Sequence, residues 1–354
     1  MTNDSAPPSI ALPSGLAAAY VVMPEAEAVE LARNAFGIEG RATRFATEKD
    51  DTFRITPASG ARFILKVANP VEDVPEIDLQ LRILQHLAAT APDLPVPRVV
   101  DNARGEHLFA YQDRAGQPRQ VRMMSYLEGK PLSEVPSTLV GRQEIGRLLA
   151  RLRLALADFS HPADSRVLPW DIKHLLSLQS LLGGITEPAR RRQVEAGLAR
   201  FASIEGRLAG SRMQVLHNDF SSSNIVVDPL LPGFVSGVID FGDAVRTSIA
   251  IDVSTALLSQ LPRQGGDDFF DHGRDLLGGY LGVADLTAEE LSLIPHLVMG
   301  RIVARVLLSI SLANSVPENS TYLLRNTEQS WSQLNWFLNR SMDEVSGQFA
   351  DHAV

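Results

Sequence analysis

Between residues 215 and 243 the chain reads VLHNDFSSSNIVVDPLLPGFVSGVIDFGD, and three polar side chains within it have the types and spacing for chemistry. Asp219 follows the apolar run VL and His217 and precedes a polar loop; five positions on, Asn224 opens the β-branched run NIVV, so one loop can fold both side chains into one cleft. Asp240 ends the run GVI sixteen positions beyond Asn224, and the Phe241–Gly242 turn after it can leave its carboxylate facing the same cleft. An amide oxygen and a carboxylate are hard ligands of the kind Mg²⁺ prefers, with waters or phosphate oxygens completing its shell. A second carboxylate then remains free for a hydroxyl nucleophile. A positioning base, metal ligands and a cation that steadies nucleotide phosphates are the parts of phosphoryl transfer. The cation candidate is Lys66 in RFILKV, since a charge flanked by Leu65 and Val67 calls for a partner.

Those residues need elements to carry them. The two runs NIVV and GVID, joined by the turn residues DPLLPG, predict a hairpin. Upstream, PEAEAVELARNAFG has a helical face of Val29, Ala32 and Phe36, with Pro24 at its start and Gly37 at its stop. The short runs ATRFAT, TFRIT, RFILKV, HLFAY and RQVRMMSYL predict five strands, separated by turn signals such as TPASG and DRAGQP. Inserted between the third and fourth is PEIDLQLRILQHLA, where Ile77, Leu81, Leu84 and Leu87 repeat at helical spacing. Beyond SYLEGKPL the character turns helical: Ile145, Leu149, Leu152 and Leu156 form one stripe, and further helices are expected over 171–182, 187–208, 247–261, 268–281, 287–313 and 320–346. The expectation is an α+β chain of two lobes: a Pro-, Ser- and Ala-rich tail over 1–20, a nucleotide-binding lobe with a five-stranded antiparallel sheet over 21–127, and a larger helical lobe with the hairpin over 128–354.

Composition narrows the classes. The 354 residues are 45% hydrophobic and 21% charged, ample for such a core, and there is no cysteine, which excludes disulfides, thiolate metal sites and a cysteine nucleophile. A reducing cytoplasm is the natural expectation. A net charge of −9 without basic clusters argues against nucleic acid as a partner. No apolar run of roughly 20 residues is read from the sequence, and the start MTNDSAPPSIALPSG lacks a signal pattern, so no membrane association is expected.

HNDFSSSN followed by IDFG, with an upstream ILK strand, resembles the aminoglycoside-phosphotransferase-like branch of the protein-kinase fold, whose loop usually reads H-G-D-x-x-x-x-N. More narrowly, IDFGDAV and PENSTYLLRNTEQSW resemble the hydroxylysine kinase group of small-molecule kinases, over about residues 25 to 346. The resemblance implies an ATP- and Mg²⁺-dependent enzyme that phosphorylates a hydroxyl of a small amino-bearing metabolite. It implies Asp219 as base, Asn224 and Asp240 as metal ligands and Lys66 on the α/β-phosphates. It also implies an acid of the inserted helix orienting Lys66, for which Asp78 is preferred to Glu76, and the backbone of Ser125 to Leu127 at the adenine edge. Asn218 stands in place of the family's glycine, and the phosphate-covering loop TEKDDTF has no glycine, which suits a metabolite kinase better than a protein kinase. An antibiotic phosphotransferase and a non-catalytic nucleotide-binding protein of the same fold are the alternatives.

Plainer roles stand beside these. His217 is expected to brace the loop, not to transfer protons, and the resemblance implies that Asp252, an acid inside an apolar helix, holds the loop's backbone. Asp243 is either a further carboxylate of the site or a helix N-cap. Arg301 and Arg305, four apart in LVMGRIVARVLL, are expected to pair within the core, with binding of a substrate carboxylate as the other reading. The acid-rich DDFFDHGRD is expected to be a solvated face, and Trp170 and Trp331 hydrophobic anchors.

Overall fold

A computed structural model describes residues 20–45, 47, 50–262, 269–315 and 320–352. Residues 1–19 of the expected tail, and Glu48 and Lys49 of the phosphate-covering loop, lie outside the described residues.

Helix α1 (Glu25–Phe36) carries Glu25 and Glu27 in its first turn and Arg33 in its last, each suited to the helix dipole, and ends at Gly37 with φ 68°. Strands β1 (Gly40–Phe45), β2 (Asp51–Pro57) and β3 (Phe63–Val67) form an antiparallel meander, and helix α2 (Val74–Thr90) is the expected insertion. Strands β4 (Val99–Val100), β5 (Phe109–Gln112) and β6 (Pro118–Ser125) complete the sheet, in which β3, β4 and β5 all pair with β6. The sheet thus has six strands; β4, the addition to the five expected, is too short to show an alternation. α1 covers one face, where Leu31, Phe53, Ile55, Leu65 and Val67 form a core. Because side chains alternate across a strand, Lys66 lies on the other face, beside its cross-strand neighbours Thr52 and Arg122.

The remainder is a helical body pierced by two ribbons. Strand β7 (Lys130–Pro131) leads into α3 (Leu139–Ala155), a long 3₁₀ stretch (Ile172–Gly184), α4 (Pro188–Ala202) and α5 (Glu205–Ala209). The expected helix over 187–208 is therefore interrupted, at Ser203 and Ile204. Strands β8 (Met213–Leu216), β9 (Ile225–Val227), β10 (Val235–Val238) and β11 (Val245–Ser248) follow; β9 and β10 form the expected hairpin, and β8 pairs with β11 across its base. The chain closes with α6 (Ile249–Leu258), α7 (Asp271–Leu281), α8 (Ala288–Ser315), α9 (Ser320–Leu323), α10 (Thr327–Leu338) and α11 (Met342–Ser346).

Two reciprocal glycines let α3 and α7 cross with backbones nearly touching: a Cβ on Gly146 would sit 1.9 Å from the Leu276 carbonyl oxygen, and one on Gly279 would sit 2.1 Å from that of Gln143. The reading that no apolar run is long enough to span a bilayer needs correction, because α8 has the length and composition to do so, with mean hydropathy 1.7. Its apolar surface is spent inside the fold, where Leu293, Leu297, Val303 and Leu307 are all buried. Helix α2 joins the halves: Leu79, Ile83, Leu84 and Leu87 pack into the core of the helical body, whereas Ile77 and Leu81 pack with Ala68 under the sheet.

Candidate active site

The hairpin and its flanking loop bring the expected groups together. His217 is fully buried, its ring 4.8 Å from that of Phe241 and 5.9 Å from that of Phe220. Its Nδ1 accepts the Asp219 amide hydrogen at 3.3 Å, so Nε2 carries the proton and donates to the Ile239 carbonyl at 3.0 Å. Burial holds its pKa below the usual value, which keeps the ring neutral. It ties the loop to the strand end that delivers Asp240, the bracing role expected.

The residue after it, Asn218, has φ 60°, in the left-handed region that asparagine tolerates better than most. Its amide donates to Asp252 Oδ1 at 2.7 Å, and its carbonyl accepts from Arg301 Nη2 at 3.3 Å. Asp252 therefore contacts the catalytic loop's backbone as expected; its burial pushes its carboxyl up to about 6. Arg301 also donates to the Trp170 carbonyl and reaches within 3.8 Å of Asp219 Oδ1. Of the two roles weighed for Arg301, it takes the internal one, and its acid is Asp219.

Asp219 accepts from Asn224 Nδ2 at 2.6 Å, and the same nitrogen donates to the Asp219 carbonyl at 3.0 Å. With its nitrogen so engaged, Asn224 presents its amide oxygen outward, the atom a hard cation needs. Desolvation is the largest cause raising the Asp219 carboxyl to about 7, followed by the neighbouring Asp243; Arg301 opposes both, and Asp240 adds to the rise. Negative charge concentrated in this way is suited to a bound cation.

Asp240 has φ 63° and accepts from the Gly242 amide at 3.2 Å, capping the short turn Phe241–Asp243. A Cβ on Gly242 would sit 2.9 Å from Asp240 Oδ1, so this glycine fixes where the carboxylate lies. Asp243 ends that turn; the N-cap of α6 is Ser248, whose hydroxyl accepts from the Ala250 amide. Among the described residues no three His, Asp or Glu side chains surround one point. An amide oxygen and one or two carboxylates nonetheless suit Mg²⁺, which takes its other ligands from water and phosphate.

On β3, Lys66 is partly exposed and makes no ion pair among the described residues. Arg122 beside it is neutralised by Asp50 at 2.7 Å. The choice of Asp78 as the acid orienting Lys66 is not what the structure holds. Asp78 is engaged by His161 at 3.1 Å and by Arg82 at 3.3 Å, its i,i+4 neighbour on α2. Glu76 is held by Arg166 at 2.7 Å, and Arg166 also donates to the carbonyls of Gly242 at 2.5 Å and Ala244 at 2.9 Å. Arg166 thus ties the inserted helix to the turn that carries Asp240. The sequence reading missed it, and no short-range pattern marks it.

In the connector, the Ser125 amide donates to Arg98 and that of Tyr126 to Arg62, at 2.8 and 3.0 Å. Leu127 packs its side chain against the Gly237 backbone. Of the acid run 267–275, Asp271 pairs with Arg274 at the surface, as on the solvated face expected, but Asp275 holds the buried Arg142, and Phe269 and Phe270 are core residues; Asp267 and Asp268 lie outside the described residues. Trp331 is buried and Trp170 half-buried, consistent with anchors.

Residues 42–286 match the phosphotransferase enzyme family. The hydroxylysine kinase of Mus musculus is 28% identical over 342 residues, spanning 90% of each chain. The homoserine kinase of Chelativorans sp. (strain BNC1) is 27% identical over 255 residues, 71% of this chain and 74% of that one. Among solved structures, a microcompartment-associated aminopropanol kinase superposes with a TM-score of 0.65 at 21% identity, covering 88% of this chain and 96% of that one. An amicoumacin kinase in complex with AMP-PNP, Ca²⁺ and Ami superposes with a TM-score of 0.66 at 17% identity, covering 87% of this chain and 93% of that one. At these identities the structural likenesses establish the protein-kinase-like fold.

Proposed function

The chain belongs to the phosphotransferase enzyme family, and from that premise we propose that it transfers the γ-phosphoryl group of ATP, with Mg²⁺, to a hydroxyl of a small amino-bearing metabolite. A hydroxylated amino acid stands first and an amino alcohol second. One observation carries this reading: Asp219 and Asn224 are joined side chain to side chain at 2.6 Å, and the Asp240 and Asp243 carboxylates lie close enough to raise the Asp219 pKa. In this reading Asp219 receives the acceptor hydroxyl's hydrogen bond and Arg301 holds the loop that aims it. Asn224 and Asp240 hold the metal, Lys66 binds the nucleotide's phosphates, and the backbone of Ser125 to Leu127 meets the adenine. The bound metal and triphosphate supply the electrophile and neutralise its charge. The protein's own work is positioning: the loop is braced by His217 and Asp252 before any ligand arrives.

The amino-acid acceptor is supported by relatives that phosphorylate hydroxylysine and homoserine, which also favours it over an antibiotic substrate. The non-catalytic alternative is disfavoured by a complete set of polar groups in place. The test is release of ADP from ATP and Mg²⁺ with a panel of hydroxylated amino acids, amino alcohols and aminoglycosides. Replacing Asp219→Asn should lower turnover on the best acceptor by about 10²–10⁴-fold, while ATP and Mg²⁺ still raise the melting temperature. Full activity in that variant overturns the assignment of the base.

A further inference from the structure

Arg301 and Arg305 lie four residues apart on α8, so both side chains start from the same side of the helix, with Cα positions about 6 Å apart along the axis. Their surroundings differ. Arg301 has Asp219 as its acid and two carbonyls of the catalytic region as acceptors. Arg305 Nε donates to Ser330 Oγ at 2.9 Å and Nη2 to Gln333 Oε1 at 2.7 Å, both neutral groups on α10. Those partners are themselves fixed and fully buried. Ser330 donates its own hydrogen to the Asn326 carbonyl at 2.8 Å, and Gln333 donates to that of Pro262 at 2.9 Å. Among the described residues no carboxylate lies within ion-pair distance of Arg305.

A guanidinium withdrawn from water beside a second one, with only neutral acceptors, is costly unless an anion completes it. Burial and the Arg301 charge do pull the Arg305 pKa down, to about 10, and no acid offsets them. The residue as a whole is intermediate in exposure and its Nη1 makes no hydrogen bond among the described residues, which leaves one end of the fork for an anion. A carboxylate suits the planar donor fork of arginine. We propose that Arg305 binds the carboxylate of the acceptor substrate, so that the enzyme acts on a hydroxy amino acid in preference to the corresponding amino alcohol. The Arg301 turn of the same helix sits beside Asp219, where the hydroxyl must lie. Arg305, one turn along, then measures a separation of a few carbons between hydroxyl and carboxylate.

The inference rests on the kinase reading above, and the experiment separates the two. Catalytic efficiency with ATP and Mg²⁺ is measured for 5-hydroxylysine and for its decarboxylated counterpart, and likewise for homoserine and 3-amino-1-propanol, in the wild-type chain and in Arg305→Gln and Arg305→Lys. The wild type should prefer the carboxylate-bearing member of at least one pair. Arg305→Gln should cost that substrate at least about 30-fold in kcat/KM, mainly through KM, and collapse the preference towards unity. Arg305→Lys should recover part of it. A merely structural tie between α8 and α10 predicts equal losses on both members, and that outcome, or a wild type indifferent to the carboxylate, overturns the assignment while leaving the kinase reading intact. Failure of the wild type to phosphorylate any hydroxylated amine removes the kinase reading and this inference with it. Calorimetric titration of the acid without nucleotide reads the same preference independently of turnover.

Discussion

The hairpin side of the cleft and the sheet side are built on different terms. On the hairpin side every expected group is already tied to another: Asp219 to Asn224, Asn218 to Asp252, and His217 to the strand end before Asp240. On the sheet side Lys66 makes no ion pair among the described residues, and both acids of α2 are committed elsewhere, Asp78 to His161 and Glu76 to Arg166. A constellation held by its own backbone and side-chain bonds keeps its geometry without ligand, whereas Lys66, half-buried between Thr52 and Arg122, has no acid of its own among the described residues to fix it. The hairpin half is cross-braced by the fold, and the sheet half is not.

Arg166 is where the halves meet, and removing it is the sharpest way to break the contrast. Arg166→Met deletes both the grip on Glu76 and the donors to the Gly242 and Ala244 carbonyls, freeing the turn that aims Asp240. Misplacement of that order costs about 100-fold, so kcat should fall by that much in steady-state assays. Glu76→Gln, which leaves the carbonyl bonds intact, should cost only about tenfold. Turnover of Arg166→Met within twofold of wild type would show that the hairpin turn holds itself and that the two halves are independent.

A smaller effect tests how complete the hairpin side is. Both polar side-chain atoms of Asn218 are buried and lack partners, and the residue sits at positive φ. Asn218→Gly relieves the left-handed backbone and the orphaned amide, worth about 1–3 kcal/mol. Against that stands the greater chain entropy of glycine, about 0.5–1 kcal/mol. The variant should be more stable by about 1 kcal/mol in denaturant unfolding. A loss of stability would mean that the amide has a partner, such as an ordered water, and that the loop is held by more than the protein's own groups.

The same division governs what the sequence could reveal. The loop and hairpin of the candidate site were legible because their elements sit in short-range order: β-branched runs, turn residues between them, and polar groups at fixed offsets. Asp252 was legible as an acid inside an apolar helix, and its contact with the loop is the one expected. Arg166 was not, because it lies in an irregular segment and its partners are 76 to 90 positions away. Glu76 and Asp78 flank the same apolar stripe, so only tertiary partners on 161–166 decide where each points. Strand β4 fell below the length at which alternation exists, and the break at Ser203 interrupts a run whose helical periodicity continues beyond it.

The smallest expected effect concerns the proton on Asp219. Its carboxyl titrates at about 7 in the folded chain, chiefly through desolvation, and near 3.8 when unfolded. Below about pH 4 both states hold the proton and the group has no influence on stability. As the pH rises from 4 to 7 the unfolded chain releases its proton while the folded chain keeps it, so the folded state loses ground, and the full penalty stands above pH 7. The Asp219 side chain is 34% exposed, so solvent screening cuts the penalty to roughly 1 kcal/mol. Asp219→Asn removes it, and the ligand-free variant should melt about 1–2 °C above wild type at pH 8 and level with it near pH 4. ATP with Mg²⁺ should erase the difference at pH 8, because a cation beside Asp219 favours its charged form. A variant no more stable than wild type at pH 8 would place the charge of Asp219 in water, and the hairpin side would then hold no electrostatic strain for a metal to relieve.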